Sequence, residues 1–304
     1  MNNAAIRNEH LGLKAGVLAL SAALLWGGNS VFIKLGLQGI PPLAMAGLRF
    51  ALGALTVWLG AFFLKVPLRP QAGEWRGLIA LSLLFVVQIG LLNQGTDFTS
   101  ANRSTVLMSA YPFFTALFAH FLIPGDRLDT TKVVGLVLSF SGVALIFGES
   151  LHLDDTRFLL GDLLVLTSAL LLGLRQIGLK WLVHNLHPFK VIFWQAILSL
   201  PLFGLGSAVW EGDAVYRLSA PILGAVLYQG VIVAGLCFIL WTSLLQTHSA
   251  SRLVVFSFTT PIFGVWLSAL VLGEAVSTVL VGGLLLVTAG IVVVNRRTPN
   301  PSVR

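Results

Sequence analysis

Two arginines lie inside otherwise apolar sequence. Arg49 sits in PPLAMAGLRFALGALTVWLGAFF and Arg175 in LVLTSALLLGLRQIGLK, and neither run contains an acidic residue. A guanidinium stays charged at any physiological pH and can hold a carboxylate through two parallel hydrogen bonds. Recognition of an anionic group is therefore the first chemistry on offer. The bland alternative is that each arginine caps backbone carbonyls, or that Arg175 reaches the nearer end of its run. Trp26 and Asn29 are three residues apart and share a helical face. A ring beside an amide suits a zwitterionic ligand, with the ring against an ammonium or an apolar side chain; otherwise Trp26 faces outward. Further polar groups inside apolar runs are Gln88, Asn93, Gln94, Tyr111, Gln176, Tyr228, Gln229, Thr242, Ser243, Thr259 and Thr260. The substrate-binding candidates drawn from these sets are Trp26, Asn29, Arg49, Gln88, Tyr111, Arg175, Gln176, Tyr228 and Gln229. Any one amide or hydroxyl serves equally well to join helices, at about 0.6 kcal/mol each.

Other chemistry lacks its residues. The twelve acidic residues all fall in loops or near the ends of apolar runs. A cation or multidrug exporter needs a carboxylate at mid-membrane, so that reading is disfavoured. His120 is the one candidate proton carrier, and proton coupling is left open. The sequence has no GxxxxGK[ST] phosphate loop, no HExxH, no CxxC and no Gly-x-Ser-x-Gly elbow. No catalytic residue, metal or cofactor is expected, and the chain is not read as an enzyme; a membrane-embedded lipid enzyme would need an interfacial nucleophile or paired acids. Cys237 is the single cysteine, so no intrachain disulfide exists.

The elements that position these residues follow from composition. Of 304 residues, 56% are hydrophobic and 10% charged, where soluble domains carry about 25% charged residues. Mean hydropathy is +0.90. The chain reads as an all-α integral membrane protein. At about 20 apolar residues per span there are about ten spans, roughly 13–36, 40–64, 76–96, 99–123, 131–148, 158–183, 188–210, 219–245, 249–272 and 275–295. Pro41, Pro42 and Pro188 suit the first turns of spans two and seven. The first run is read as a span, not a cleaved leader, because an echo of it lies mid-chain. Lysine and arginine concentrate in alternate loops, which predicts both termini on the cytoplasmic side. The net charge of +7 is then a property of inner loops, not a sign of nucleic-acid binding.

The echo is a duplication. LALSAALLWGGNSVFIK at 18–34 matches LVLTSALLLGLRQIGLK at 164–180 with an offset of 146, setting Gly27 on Gly173, Lys34 on Lys180, and Asn29-Ser30 on Arg175-Gln176. Ser100-Ala101-Asn102-Arg103 matches Ser249-Ala250-Ser251-Arg252, and Pro112 matches Pro261, with an offset of 149. At the position of Arg49 the second unit has Gln195. Five spans per unit, an odd number, turn the second unit over relative to the first, the arrangement tied to alternating access around a midplane site. The expected layout is a cytoplasmic tail at 1–12, a first unit at 13–148, an outer linker at 149–157, a second unit at 158–295 and a cytoplasmic tail at 296–304. Gly27, Gly28, Pro112 and Pro261 are the candidate hinges, since glycine and proline weaken or break helices. Glycines at seven-residue spacing in spans five and ten suggest a packing pair.

Ala23-Leu24-Leu25-Trp26-Gly27-Gly28-Asn29, Ser249 to Arg252 leading to Pro261, and Leu272-Gly273-Glu274 leading to Gly282-Gly283 and Gly290 resemble the drug/metabolite transporter superfamily. Within it the chain is similar to the ten-helix EamA-type branch and to YddG-type amino-acid exporters, over about residues 13 to 295. The resemblance implies a carrier exporting amino acids or similar small metabolites across the inner membrane. The expected partners are a small-molecule substrate and membrane lipid, with no nucleic acid, and a monomer is expected. A carrier of a sugar derivative, nucleoside or anion is the alternative.

Overall fold

In a computed structural model of the protein, residues 12–122, 130–152, 156–247 and 259–294 are described. The tails and the Ser249–Arg252 motif lie outside them. Among the described residues the chain is helical, without strands. Seven helical stretches are long and apolar enough to cross a membrane, and three shorter apolar helices accompany them. Together they occupy the ten expected spans.

Span one is split into α1, Leu13–Gly27, and α2, Asn29–Gly36. Span two is α3, Pro42–Phe63, and span three is α4, Trp75–Phe98. Span four is split into α5, Ala101–Met108, and α6, Tyr111–Leu122. Spans five, six and seven are α7, Thr130–His152, α8, Thr156–Asn185, and α9, Pro188–Trp210. Span eight runs through α10, Ala220–Leu227, a π-helical stretch Tyr228–Cys237, and α11, Phe238–Thr247. Spans nine and ten are α12, Thr259–Leu272, and α13, Thr278–Val294.

Local sequence explains the starts and breaks. Pro42 and Pro188 occupy first turns, where a missing N–H leaves nothing unpaired. Pro112 cannot donate to the carbonyl of Met108, and its ring crowds that carbonyl; the helix ends there and restarts at Tyr111 after a tight turn in which Ala110 donates to Leu107. The break therefore lies just ahead of Pro112. Pro261 lies in α12 two residues after the described part of that helix begins, and the residues ahead of Thr259 lie outside the described ones.

Close helix packing uses the absence of a side chain. A Cβ on Gly27 would come within 2.9 Å of the Thr260 carbonyl oxygen in α12, and one on Gly142 within 2.6 Å of the Gly283 carbonyl oxygen. The first contact joins spans one and nine. The second joins α7 to α13, the pair that the glycine spacing suggested. In lipid such backbone approach replaces the hydrophobic drive that water supplies elsewhere.

One end of the bundle is tied by charges bound to helix ends. Lys34 Nζ donates to the carbonyls of Thr96, Asp97 and Thr99 at 2.6–2.9 Å, closing the last turn of α4. Glu211 accepts from the N–H groups of Leu43 and Ala44 at the start of α3, and Glu274 from those of Ala101 and Asn102 at the start of α5. Carboxylates are favoured at helix N-termini, where unpaired N–H groups point outward. Arg103 is buried among Glu149 at 2.6 Å, Asp162 at 2.6 Å and the Ile146 carbonyl. In the sequence Arg103 stands out only as the end of the repeated Ser100–Arg103 motif. Its partners lie 46 and 59 residues away, so no local pattern announces the pairing. At the opposite end Lys190 bonds Glu74 at 3.0 Å.

Removing one member of a buried ion cluster leaves uncompensated charge, at a cost of about 3–5 kcal/mol. Arg103→Met is expected to lower the thermal denaturation temperature of detergent-solubilised protein sharply. Lys190→Met, at a more exposed pair, is expected to change it far less.

Candidate functional site

A cavity of about 520 Å³ lies between the two units. Its lining includes Trp26, Asn29 and Ser30 from span one, Arg49 from α3, Gln88 from α4, and Thr105, Ser109, Tyr111 and Pro112 from span four. The second unit contributes Leu172, Arg175 and Gln176 from α8, Val233, Phe238 and Trp241 from span eight, and Thr260 from α12. Leu179, Val183, Pro188 and Ile192 extend it toward the end of the bundle where α8 meets α9. No lining residue lies beyond Leu92 toward the end that carries Lys34, where Thr96 and Ser104 hydrogen-bond at 2.7 Å in a fully buried contact. The cavity is thus one-ended.

Of the sequence candidates, Trp26, Asn29, Arg49, Gln88, Tyr111, Arg175 and Gln176 line it, as do the hinge candidates Gly27 and Pro112. Tyr228, Gln229, Gly28 and Pro261 do not. Sequence reasoning passed over Phe238 and Trp241, which meet Trp26 edge-on at 5.9 and 5.2 Å and make an aromatic wall. Only their spacing of three residues on one helical face signalled them. Thr105 and Ser109 were also passed over; each bonds a carbonyl of its own span four residues back.

The two arginines dominate the electrostatics. Arg49 is 3% and Arg175 is 7% exposed, so neither snorkels to an interface. The guanidinium of Arg49 stacks on Phe50 at 4.6 Å and that of Arg175 on Phe85 at 4.9 Å. The two rings meet edge-on at 4.5 Å, so both cations stand on one aromatic pair. Arg49 makes one long hydrogen bond, 3.4 Å to Asn29 Oδ1, and its Nε and Nη1 have no partner; Arg175 Nε has none either. No lining residue is Asp or Glu. A buried charge costs about 2.5–3.5 kcal/mol on insertion scales. A desolvated cation–π contact returns about 2 kcal/mol, and a bond of 3.4 Å little more. The cations are left short of compensation, and the cavity is positive.

Tyr228 and Gln229 act behind the wall. The break at Gly28 frees the Leu25 carbonyl, which lies in the last turn of α1, and side chains bond this and neighbouring carbonyls of span one. Tyr228 Oη donates to the Leu25 carbonyl at 2.6 Å, Gln229 Nε2 to the Asn29 carbonyl at 2.6 Å, and Thr260 Oγ1 to the Ala23 carbonyl at 3.3 Å. Tyr228 also stacks on Phe32 at 3.9 Å. The π-helical turn presents two consecutive polar residues to the broken strand of carbonyls; π-turns recur at functional sites. Gln88 is held by Ser168, to whose Oγ it donates at 2.8 Å, leaving its Oε1 unpartnered.

The sequence matches the EamA-like transporter family over residues 13–148 and again over 159–296. The chain belongs to that family. Two family copies, set end to end, are the duplication read from the Gly27/Gly173 and Pro112/Pro261 matches. The chain is 26% identical over 273 residues to the uncharacterized transporter YoaV of Bacillus subtilis, covering 90% of this chain and 93% of that one. It is 28% identical over 286 residues to a protein of Escherichia coli named "Probable amino-acid metabolite efflux pump", covering 91% and 93%. A solved crystal structure has the same fold, with a TM-score of 0.68 at 18% identity, over 92% of this chain and 96% of that one. The EamA-like chain is thus a multi-pass membrane transporter, and its named relatives are transporters and efflux pumps, not enzymes.

Two predictions follow for the groups around the cavity. Tyr228→Phe strands the Leu25 carbonyl and is expected to cost about 1–3 kcal/mol, read as a lower denaturation temperature with the stacking on Phe32 preserved. At the cavity mouth, His187 Nδ1 accepts from the Phe189 N–H at 3.3 Å and caps α9. Burial, then the nearby Lys190 charge, holds its pKa below the usual 6.5. A lowered pKa in the folded state means the unfolded chain takes the proton first. This increment of stability is complete above pH 6.5 and is lost as pH falls through the lowered folded value. His187→Asn keeps an acceptor at the cap without titrating there, and is expected to flatten the dependence of denaturation temperature on pH in that window.

Proposed function

We propose that this chain is a secondary carrier that exports amino acids or similar small metabolites across the inner membrane. It works by alternating access through the central cavity. The observation that carries the reading is the cavity itself, one-ended, walled by both units and sized within the about 300–1,000 Å³ of small-molecule sites. Its polar groups sit at mid-bundle and its mouth is apolar. The basic residues of alternate loops favour both termini in the cytoplasm, which makes the mouth at Val183 and Pro188 the cytoplasmic one. The tied end with Lys34 and Arg103 is then the outer gate, and the described state is ready to load from inside. The relative named as an amino-acid metabolite efflux pump and the aromatic wall beside Asn29 support a substrate with an amino-acid backbone. Absence of acidic residues from the lining weighs against a multidrug cation exporter and offers protons no carboxylate relay. The carrier is read as a monomer, since the cavity is complete within one chain.

Reconstituted protein is expected to catalyse saturable uptake or release of labelled amino acids in liposomes, with counter-exchange and without strict dependence on a pH gradient. Transport of sugars or nucleosides in place of every amino acid would end the substrate claim; a non-saturating flux would end the carrier claim.

A further inference from the structure

The lining contains two guanidinium groups and no carboxylate. Both are buried, both retain N–H groups without partners, and both are fixed by stacking on Phe50 and Phe85. Among the described lining residues no carboxylate neutralises them, and water entering the cavity would screen such charges only partly. A ligand that fills the cavity displaces that water, so its own charge decides whether the site becomes more or less stable. A neutral zwitterion brings one carboxylate and one ammonium. It satisfies one arginine and leaves the other facing a net charge of zero. A ligand with two acidic groups satisfies both.

The placement also distinguishes kinds of dianion. Each guanidinium is held on its own ring of the edge-on Phe50–Phe85 pair, so the two present separate forks. A ligand with two separate acidic groups offers each fork its own partner, where a single phosphate offers one centre. Two carboxylates on a short carbon chain reach both, each accepting in the fork geometry that arginine provides. Asn29 Oδ1, already the acceptor of the long bond from Arg49, is an acceptor within the same lining that an ammonium can use. The aromatic wall of Trp26, Phe238 and Trp241 lies toward the mouth.

We infer that the preferred substrate is a small dicarboxylate, with acidic amino acids fitting best, and that Arg49 and Arg175 each bind one of its two carboxylates. This rests on the carrier reading above and narrows it.

The test is counterflow in proteoliposomes with labelled aspartate, glutamate and succinate, set against leucine, phenylalanine and a phosphomonoester. Diacids are expected to be carried and to compete with one another at concentrations where leucine does not. Arg49→Gln and Arg175→Gln are each expected to raise the KM for diacids on the order of ten- to a hundredfold. A second readout separates binding from scaffolding. Each Gln variant removes a buried, uncompensated charge, so the empty protein is expected to denature at the same or a higher temperature, and the stabilisation by added glutamate to shrink. Arg→Lys at either site keeps the charge but not the fork, and should recover part of the affinity. Equal transport of leucine and glutamate, unaffected by either variant, overturns the inference and leaves the carrier intact. So does transport of the phosphomonoester with the diacids excluded. Loss of denaturation temperature in both Gln variants with unchanged diacid KM assigns the arginines to scaffolding and overturns it also. Transport of nothing in any class removes the carrier reading, and the inference with it.

Discussion

A membrane interior offers no water to an unpaired backbone group, so every break in a spanning helix must be repaired by protein. That constraint organises this molecule. Span one is interrupted at Gly28; Tyr228 comes to the Leu25 carbonyl that the break frees, and Gln229 and Thr260 bond carbonyls on either side of it. Span four is interrupted ahead of Pro112, and the turn between its halves pairs its own backbone. The two interruptions lie beside the cavity because only there, between helices, is irregular backbone tolerated. The same necessity explains why Gly27 packs against the backbone of α12: a carbonyl can be reached by Thr260 only if the helices nearly touch.

How much of this was legible in the sequence depends on the range of the interaction. The spans and the duplication are local or periodic properties, so apolar length and the 146-residue offset revealed them. The matches at Gly27 and Pro112 also marked the two real interruptions. What the sequence could not assign was partners. Tyr228 and Gln229 announced, as polar groups in an apolar run, that they needed something to bond. Whether that was a ligand or a carbonyl two hundred residues away depends on how spans one and eight face each other. Arg103 hid for the same reason, since its carboxylates arrive from α7 and α8. Arg175 went the other way: its position allowed snorkelling, and the stack on Phe85 holds it inward.

Duplication gives the two units one backbone plan, but they have diverged in side chains where it matters. Asn29-Ser30 and Arg175-Gln176 occupy the same repeat position, and all four line the cavity. The inverted arrangement brings corresponding positions to a common centre from opposite faces. One unit supplies an amide and a hydroxyl there, the other a cation and an amide. Arg49 reaches the lining, whereas Gln195, its repeat mate, is buried elsewhere. The scaffold is duplicated, as the proposed rocking needs, and the cavity lining is chemically asymmetric.

The tied and untied ends acquire meaning from the same symmetry. At one end, Lys34, Glu211 and Glu274 bind three helix termini, and Arg103 joins α5, α7 and α8. These contacts are electrostatic and directional, with short distances and little freedom. Such a network holds one arrangement firmly and has no half-formed intermediate of low energy, because each partner left behind is a buried charge or an orphaned helix end. In the proposed alternating-access cycle, opening at that end is then a switch between two paired states, not a gradual widening. The glycine contacts between α7 and α13 and between α1 and α12 are of another kind. They are close backbone approaches, each accompanied by a single side-chain hydrogen bond, Ser139 to the Val287 carbonyl and Thr260 to the Ala23 carbonyl. Dense directional bonding at the tied end and close small-residue contacts along the helices are the two materials with which the proposed rocking would work.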